Sequence, residues 1–176
     1  MDTDFRLRCA AASDVPALVA LVNSAYRGDS SRAGWTTEAH LLGGIRVDAE
    51  RVEAAIEGDD HVVLVHESGD GMAGCVQLER TGESCYVGML TVHPALQSQG
   101  RGRKLLDAAE RWASTRWQTR TMHMTVLAQR PELIAWYERR GYSATGERKP
   151  FPYGDERWGL PARSDLSFVV LRKTLR

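Results

Sequence analysis

Residues 92–106, VHPALQSQGRGRKLL, set Gly100, Gly102 and the cations Arg101, Arg103 and Lys104 between an apolar run and an amphipathic stretch. A helix starting at these glycines offers unpaired backbone N–H groups and the positive end of its dipole to an anion. Glycine also lets a phosphate approach where a side chain would collide. A lone GxG of this kind is more often only a glycine-rich strand-to-helix turn. Two specific phosphate loops are excluded by residue type. A Walker loop needs Gly-Lys-Ser/Thr, whereas Gly102 is followed by Arg103 and Lys104. A dinucleotide fingerprint needs a small residue where Leu105 stands. The histidines lack paired spacing such as HxxxH and have no cysteine pair beside them, so no metal is expected. His61, His66 and His123 alternate with apolar residues and read as structural, and His93 adjoins Pro94. No GxSxG elbow supports a serine hydrolase.

The elements that must position this segment follow from periodicity. At 176 residues and 43% apolar content the chain suits one domain, residues 1–176, with its own core. The 23 basic and 23 acidic residues cancel, which gives no field for nucleic acid or an anionic membrane, and no apolar run approaches the length of a membrane span. MDTDFRLRC is no signal peptide, and Cys9, Cys75 and Cys85 read as reduced structural residues, so a cytoplasmic location is expected. Phe5, Leu7 and Cys9 alternate with Asp4, Arg6 and Arg8 as in a half-buried edge strand. Ser13 is placed to cap a helix running to Gly28, residues 28–35 read as a polar loop, Thr36 or Thr37 begins a short helix through Leu42, and another covers 48–57. HVVLVHE, MAGCVQLER and SCYVGMLTVHP predict two hairpins, with turns at 68–71 and near Gly82. Then come a helix over 101–117, the strand TMHMTVLA, a short helix from Glu132 to Arg140 stopped by Gly141, a strand from Tyr142, a long loop from Pro150 to Asp165, and a last strand, LSFVVLRKTL.

With these elements in place, the chain resembles the GNAT superfamily of N-acetyltransferases. The hallmark Q/R-x-x-G-x-G/A behind V-x-P is matched by Gln97, Gly100 and Gly102 behind Val92 and Pro94, and the later Y-E-x-x-G-F/Y by Tyr137, Glu138, Gly141 and Tyr142. The resemblance implies an α/β fold: a mixed, largely antiparallel sheet of about seven strands flanked by about four helices. It also implies an acetyl-CoA site, with pyrophosphate on the backbone from Gln97 through Ser98, Gln99, Gly100, Arg101 and Gly102 to Arg103, and pantetheine along Leu90 and Val92. Two positions depart from the pattern: Arg130 replaces a cofactor-binding asparagine, and Tyr86 stands where a glutamate base or a histidine is common.

The implied reaction is direct attack of an amine on a thioester in a ternary complex. One proton must leave nitrogen and one must reach sulfur. The resemblance assigns Tyr137 as the acid, since a neutral phenol can donate to a departing thiolate near pH 7. A lysine-like amine of pKa about 10.4 is neutral only about once in 2,500 molecules at pH 7, a handicap of about 4.6 kcal/mol, so a base is needed. Glu79, or a water held by Tyr86, is the candidate. The acceptor, a primary amine on a small or amino-acid-like molecule, is expected between the irregular segments 27–35 and 150–165. There Trp35, Phe151 and Tyr153 supply an apolar wall, and Arg32 or Arg157 supplies a cation for a carboxylate. A non-catalytic acyl-CoA-binding regulatory module and a protein N-terminal or lysine acetyltransferase are the alternatives, and a homodimer is admissible.

Overall fold

The computed structural model describes residues 5–69 and 71–175. Strand β1 (Arg6–Cys9), helix α1 (Val15–Tyr26) and a single helical turn, α2 (Gly28–Ser31), are followed by β2 (Leu42–Gly43), α3 (Ala49–Ile56), β3 (His61–Ser68), β4 (Gly71–Thr81) and β5 (Ser84–Val92). The chain continues through α4 (Arg101–Arg116), β6 (Thr121–Leu127), α5 (Pro131–Glu138), β7 (Ser143–Pro150), β8 (Leu160–Pro161) and β9 (Ser167–Thr174). Seven strands form one sheet in the order β1, β3, β4, β5, β6, β9, β7. Every neighbouring pair is antiparallel except β5 and β6. The mixed, largely antiparallel sheet expected from the sequence is therefore the one observed.

Both faces of the sheet are covered, which explains why β3 is apolar without alternation. Val62 and Leu64 point to the layer that contains Leu105, Leu106 and Ala109 of α4. Val63 and Val65 point to Leu18 and Val22 of α1 and Val52 of α3. A third cluster of Leu41, Leu42, Leu127, Phe151 and Leu166 closes over the end of β6.

Two irregularities open the middle of the sheet. Strands β5 and β6 pair at Ser84 with Thr121, Cys85 with Met122 and Tyr86 with His123, and no further. On the other edge of β5, Gln77 faces Gly88 and Cys75 faces Thr91, so Met89 and Leu90 together oppose Val76. Met89 has φ +46° at this bulge. A left-handed conformation is uncommon for a side chain of this size, and a bulge bends its strand away from its neighbour.

Several sequence expectations are corrected. Helix α1 has Asp14 rather than Ser13 at its N-cap, because Ala12–Asp14 form a 3₁₀ turn that runs directly into the helix. The Asp14 carboxylate caps no amide of α1 and is held by two Arg8 nitrogens (2.6 and 2.9 Å) and the Ala11 amide (2.8 Å). Strand β1 is exposed along its length rather than half-buried, and Cys9 is exposed with it. Asp4 and the turn residue Asp70 lie outside the described residues. The segment from Gly28 forms α2, and no helix starts at Thr36. The supposed long loop contains a 3₁₀ turn at Glu156–Trp158 and β8, which pairs with β2.

The Arg8 bonds hold Asp14 down to about 2, against the opposing effect of burial. A carboxylate lowered by folding stabilises the fold above its unfolded pKa, and that stabilisation is lost as pH falls toward the folded value. Arg8 is 40% exposed, so screening limits the effect, and about 1 kcal/mol is expected. Asp14→Asn should lower the melting temperature by about 2–4 °C at pH 7. The gap from wild type should narrow between pH 5 and pH 2; a gap undiminished at pH 3 would count against this pair.

Candidate active site

A cavity of about 480 Å³ follows the end of β5 into the start of α4. Gly100, at φ +74°, is the N-cap of that helix, and a Cβ there would meet nothing within 4 Å. The Lys104 amide donates to Gly100 O at 3.1 Å. The Gly102 and Arg103 amides precede that bond and belong to the end of a helix whose donors lack intrahelical acceptors. Leu90, Val92, Leu133 and Trp136 form apolar walls, and Arg103, Arg139 and Arg140 gather at the rim. Arg140 donates to Trp136 O (2.6 Å) and lies 3.5 Å from the Trp136 ring centroid. Its Nε is buried with no hydrogen-bond partner among the described residues. Burial first, then Arg139 and Arg103, lower the Arg140 pKa.

A second cavity, about 80 Å³, lies in the gap where β5 leaves β6. It shares Tyr26, Leu90, Leu133 and Tyr137 with the first. Beyond it an outer groove of about 530 Å³ shares Arg46, Tyr86, Gly88, Met89 and Trp158 with this inner cavity. The three together cross the sheet, and Tyr137 stands at the first junction. Its ring packs edge-on against Trp136 and Tyr142, at 5.0 and 5.8 Å between centroids. Burial raises the Tyr137 pKa far above the ordinary phenol value, so the hydroxyl stays protonated. Tyr26 donates to Leu90 O and pins α1 to the bulge, with its own pKa raised to about 12, chiefly by burial.

Residues 39–151, more than half of the chain, match the family described as "Acetyltransferase (GNAT) domain". The chain belongs to the GNAT acetyltransferases. It is an N-acetyltransferase. Solved structures share its fold. A ribosomal-protein-alanine N-acetyltransferase from Brucella melitensis superposes with a TM-score of 0.70 at 22% identity, over 97% of this chain and 99% of that one. A Salmonella typhimurium protein solved with its cofactor acetyl-CoA gives 0.70 at 21% identity, over 99% and 95%. A spermidine N-acetyltransferase mutant from Vibrio cholerae gives 0.71 at 13%, over 99% and 95%.

In this GNAT chain the residues expected at the cofactor divide into two groups. Leu90, Val92, Gln97, Ser98, Gly100, Gly102 and Arg103 line the first cavity, whereas Gln99, Arg101 and Arg130 do not. The Gln97 side chain is engaged in the protein itself. Its Oε1 accepts from the Trp35 amide (2.9 Å), and its Nε2 donates to Thr36 Oγ1 (2.9 Å) and Val92 O (3.0 Å). Arg101 bonds to His66 Nε2 (2.9 Å), and Gln99 to Ala95 O (3.5 Å). Arg130 is 1% exposed and donates to Thr36 O (2.9 Å) and Trp35 O (3.4 Å), so its guanidinium braces a loop instead of reaching the cavity.

The acceptor-side expectations need more correction. Phe151 and Tyr86 do line the inner cavity. Trp35 lines the first cavity, where it meets Trp136. Tyr153 is an exposed loop pin: its hydroxyl donates to Arg163 O (2.9 Å) and accepts from the Leu166 amide (2.8 Å). Arg32 is exposed beside Asp29 (3.5 Å), and Arg157 is bonded to Asp155 (2.7 Å). Neither arginine lines the cavities. Glu79 lines the outer groove, opposite Tyr86 in the strand register. Among the histidines, His61 and His123 also line that groove, and His123 is bonded to Ser84 Oγ (2.8 Å). Its pKa is lowered, mainly by burial. Residues missed from sequence include Arg139 and Arg140, which directly follow Tyr137-Glu138 and were a visible signal, and Arg46 and Trp158, which carried none.

Proposed function

We propose that the chain transfers the acetyl group of acetyl-CoA to a primary amine by direct attack in a ternary complex. The observation that carries this reading is the position of Tyr137, a buried tyrosine lining both the cavity at the start of α4 and the cavity in the sheet gap. Coenzyme A fits the first cavity on chemical grounds. The end of α4 and the rim arginines suit phosphates, and the unpartnered Arg140 Nε is a buried donor in need of an acceptor. The apolar walls suit an extended thiol arm.

When bound, acetyl-CoA supplies a thioester carbonyl for attack. Gly102 and Arg103 donate backbone N–H groups at the phosphates, and Leu90, Val92 and Leu133 keep water from the arm. Tyr137 gives its proton to the departing sulfur; the water-poor setting that raises the tyrosine pKa raises that of the leaving thiol as well. Tyr86 orients the water that takes the amine's proton, and Glu79 across the strand pair receives it.

The test is a screen of primary amines with a free-thiol readout, beside calorimetric titration with coenzyme A. Thiol release dependent on an amine is expected. Absence of coenzyme A binding would overturn the proposal, and binding without thiol release for any amine would return the chain to a non-catalytic acyl-CoA module. Gly102→Val checks the placement. A Cβ there would sit 3.6 Å from Trp136 and 3.7 Å from Val92, which are ordinary contacts, so the helix keeps its fold. The branched methyls enter the cavity, and coenzyme A affinity should fall by about tenfold or more. Equal affinities would reject the placement.

A further inference from the structure

The inner cavity and outer groove are lined by Arg27, Arg46 and Arg51, with Glu38 and Glu79 as their carboxylates. Glu38 is already engaged with Arg27 (3.2 Å) and with Arg130 (3.7 Å), which lies behind the cavity wall. Arg51 points its Nη1 at two carbonyls, Arg46 O (3.2 Å) and Arg157 O (2.7 Å), and stacks 5.3 Å from the Trp158 ring. Arg46 is half-buried, 5.8 Å from the Tyr26 ring, and has no carboxylate within 4.0 Å among the described residues. It is the charged residue that lines both spaces. Arg27, 4% exposed at its side chain, leaves its Nε buried without a partner among the described residues.

Cations withdrawn from water are costly unless an anion completes them. The anion missing here is not supplied from the other cavity. The thioester end of an acyl-CoA reaching Tyr137 is uncharged, and the phosphates belong at the far rim with Arg139 and Arg140. A negative group in this half of the channel therefore arrives with the acceptor. We propose that the acceptor is an amine that also carries a carboxylate, as an amino acid does, with the carboxylate held by Arg46 beside Arg51 and the apolar part against Trp158 and Phe168. This rests on the transfer reading above. It moves the anion contact from Arg32 and Arg157 to two arginines that face the channel. Glu79 remains free to take the amine's proton because the carboxylate is held on the arginine side.

The test uses matched pairs: leucine, methionine, phenylalanine and 4-aminobutyrate, each against its carboxamide. Calorimetry on the coenzyme-free protein measures binding, and the thiol assay measures kcat/KM. At least one acid should exceed its amide by about 10- to 100-fold in both, the size of a charge-assisted contact. The amide's amine is the more readily deprotonated, so such a preference runs against basicity. Arg46→Gln should collapse the acid-to-amide ratio toward one through KM, and Arg46→Lys should restore part of it. Equal binding within every pair, tighter binding of the amides, no acid binding at millimolar concentration, or an acid preference that survives Arg46→Gln would each overturn the inference. A chain that binds no coenzyme A fails the transfer reading. The ratio measured without coenzyme judges the carboxylate contact separately.

Discussion

Tyr137→Phe should lower the single-turnover rate by about 10²- to 10⁴-fold, the usual contribution of a positioned general acid, while coenzyme A affinity stays within about twofold. The separation follows from what the substitution keeps. The phenyl ring retains the edge-on contacts with Trp136 and Tyr142 at 5.0 and 5.8 Å. The groups proposed to meet the phosphates, the start of α4 and three rim arginines, do not depend on the hydroxyl. Only the hydroxyl at the junction of the two cavities is lost. Because burial raises the tyrosine's pKa, the wild-type rate should show no fall from its ionisation up to pH 9. A rate for Tyr137→Phe equal to wild type, measured where chemistry is limiting, would leave this tyrosine as a packing residue of α5.

Much of the scaffold was legible because it is written in local periods. The near-continuous apolar run from Cys85 to Val92 marks a central strand, and β5 lies between β4 and β6 with Cys85, Val87 and Met89 buried, while the stripe Leu105, Leu106, Ala109 marks the buried face of α4. Gly100 announced the left-handed N-cap from which α4 starts, and Gly141, at φ +88°, the end of α5. What escaped depends on contacts between distant residues. The pairing of Leu42–Gly43 with Leu160–Pro161 is two residues long and leaves no alternation to detect. The bulge at Met89 follows Gly88, and an isolated strand glycine can mark a bulge, but the positive φ falls on the bulky Met89 rather than on the glycine, at the gap that holds the inner cavity. Side-chain direction was the least legible property. Arg157 and Arg46 are both arginines in irregular segments, yet one folds back on Asp155 and the other lines the channel, a difference set by the Asn23 Oδ1 bonds to the Arg46 and Val47 amides (2.6 and 3.2 Å).

Arg130 provides the largest expected loss of stability. The family resemblance puts a cofactor contact at this position, and such a contact would make Arg130→Met a binding variant with a normal melting temperature. The surroundings argue for the reverse. The guanidinium is 1% exposed, donates to the carbonyls of Thr36 and Trp35, and pairs with Glu132 at 3.1 Å and Glu38 at 3.7 Å. Removing it leaves two carbonyls without their donor and a poorly exposed carboxylate with Arg27 as its remaining cation. Breaking one partner from a buried charged network costs about 3–5 kcal/mol. The lower end is expected here, because Arg27 still compensates Glu38. A loss of about 3 kcal/mol corresponds to a fall of about 6–12 °C in melting temperature for a chain of this size. Trp35 and Thr36 line the cavity proposed for coenzyme A, so their loosening should weaken coenzyme A binding by less than about tenfold when measured at 10 °C, where the variant is still folded. A melting temperature within about 2 °C of wild type, together with a larger loss of affinity, would restore Arg130 to the cofactor.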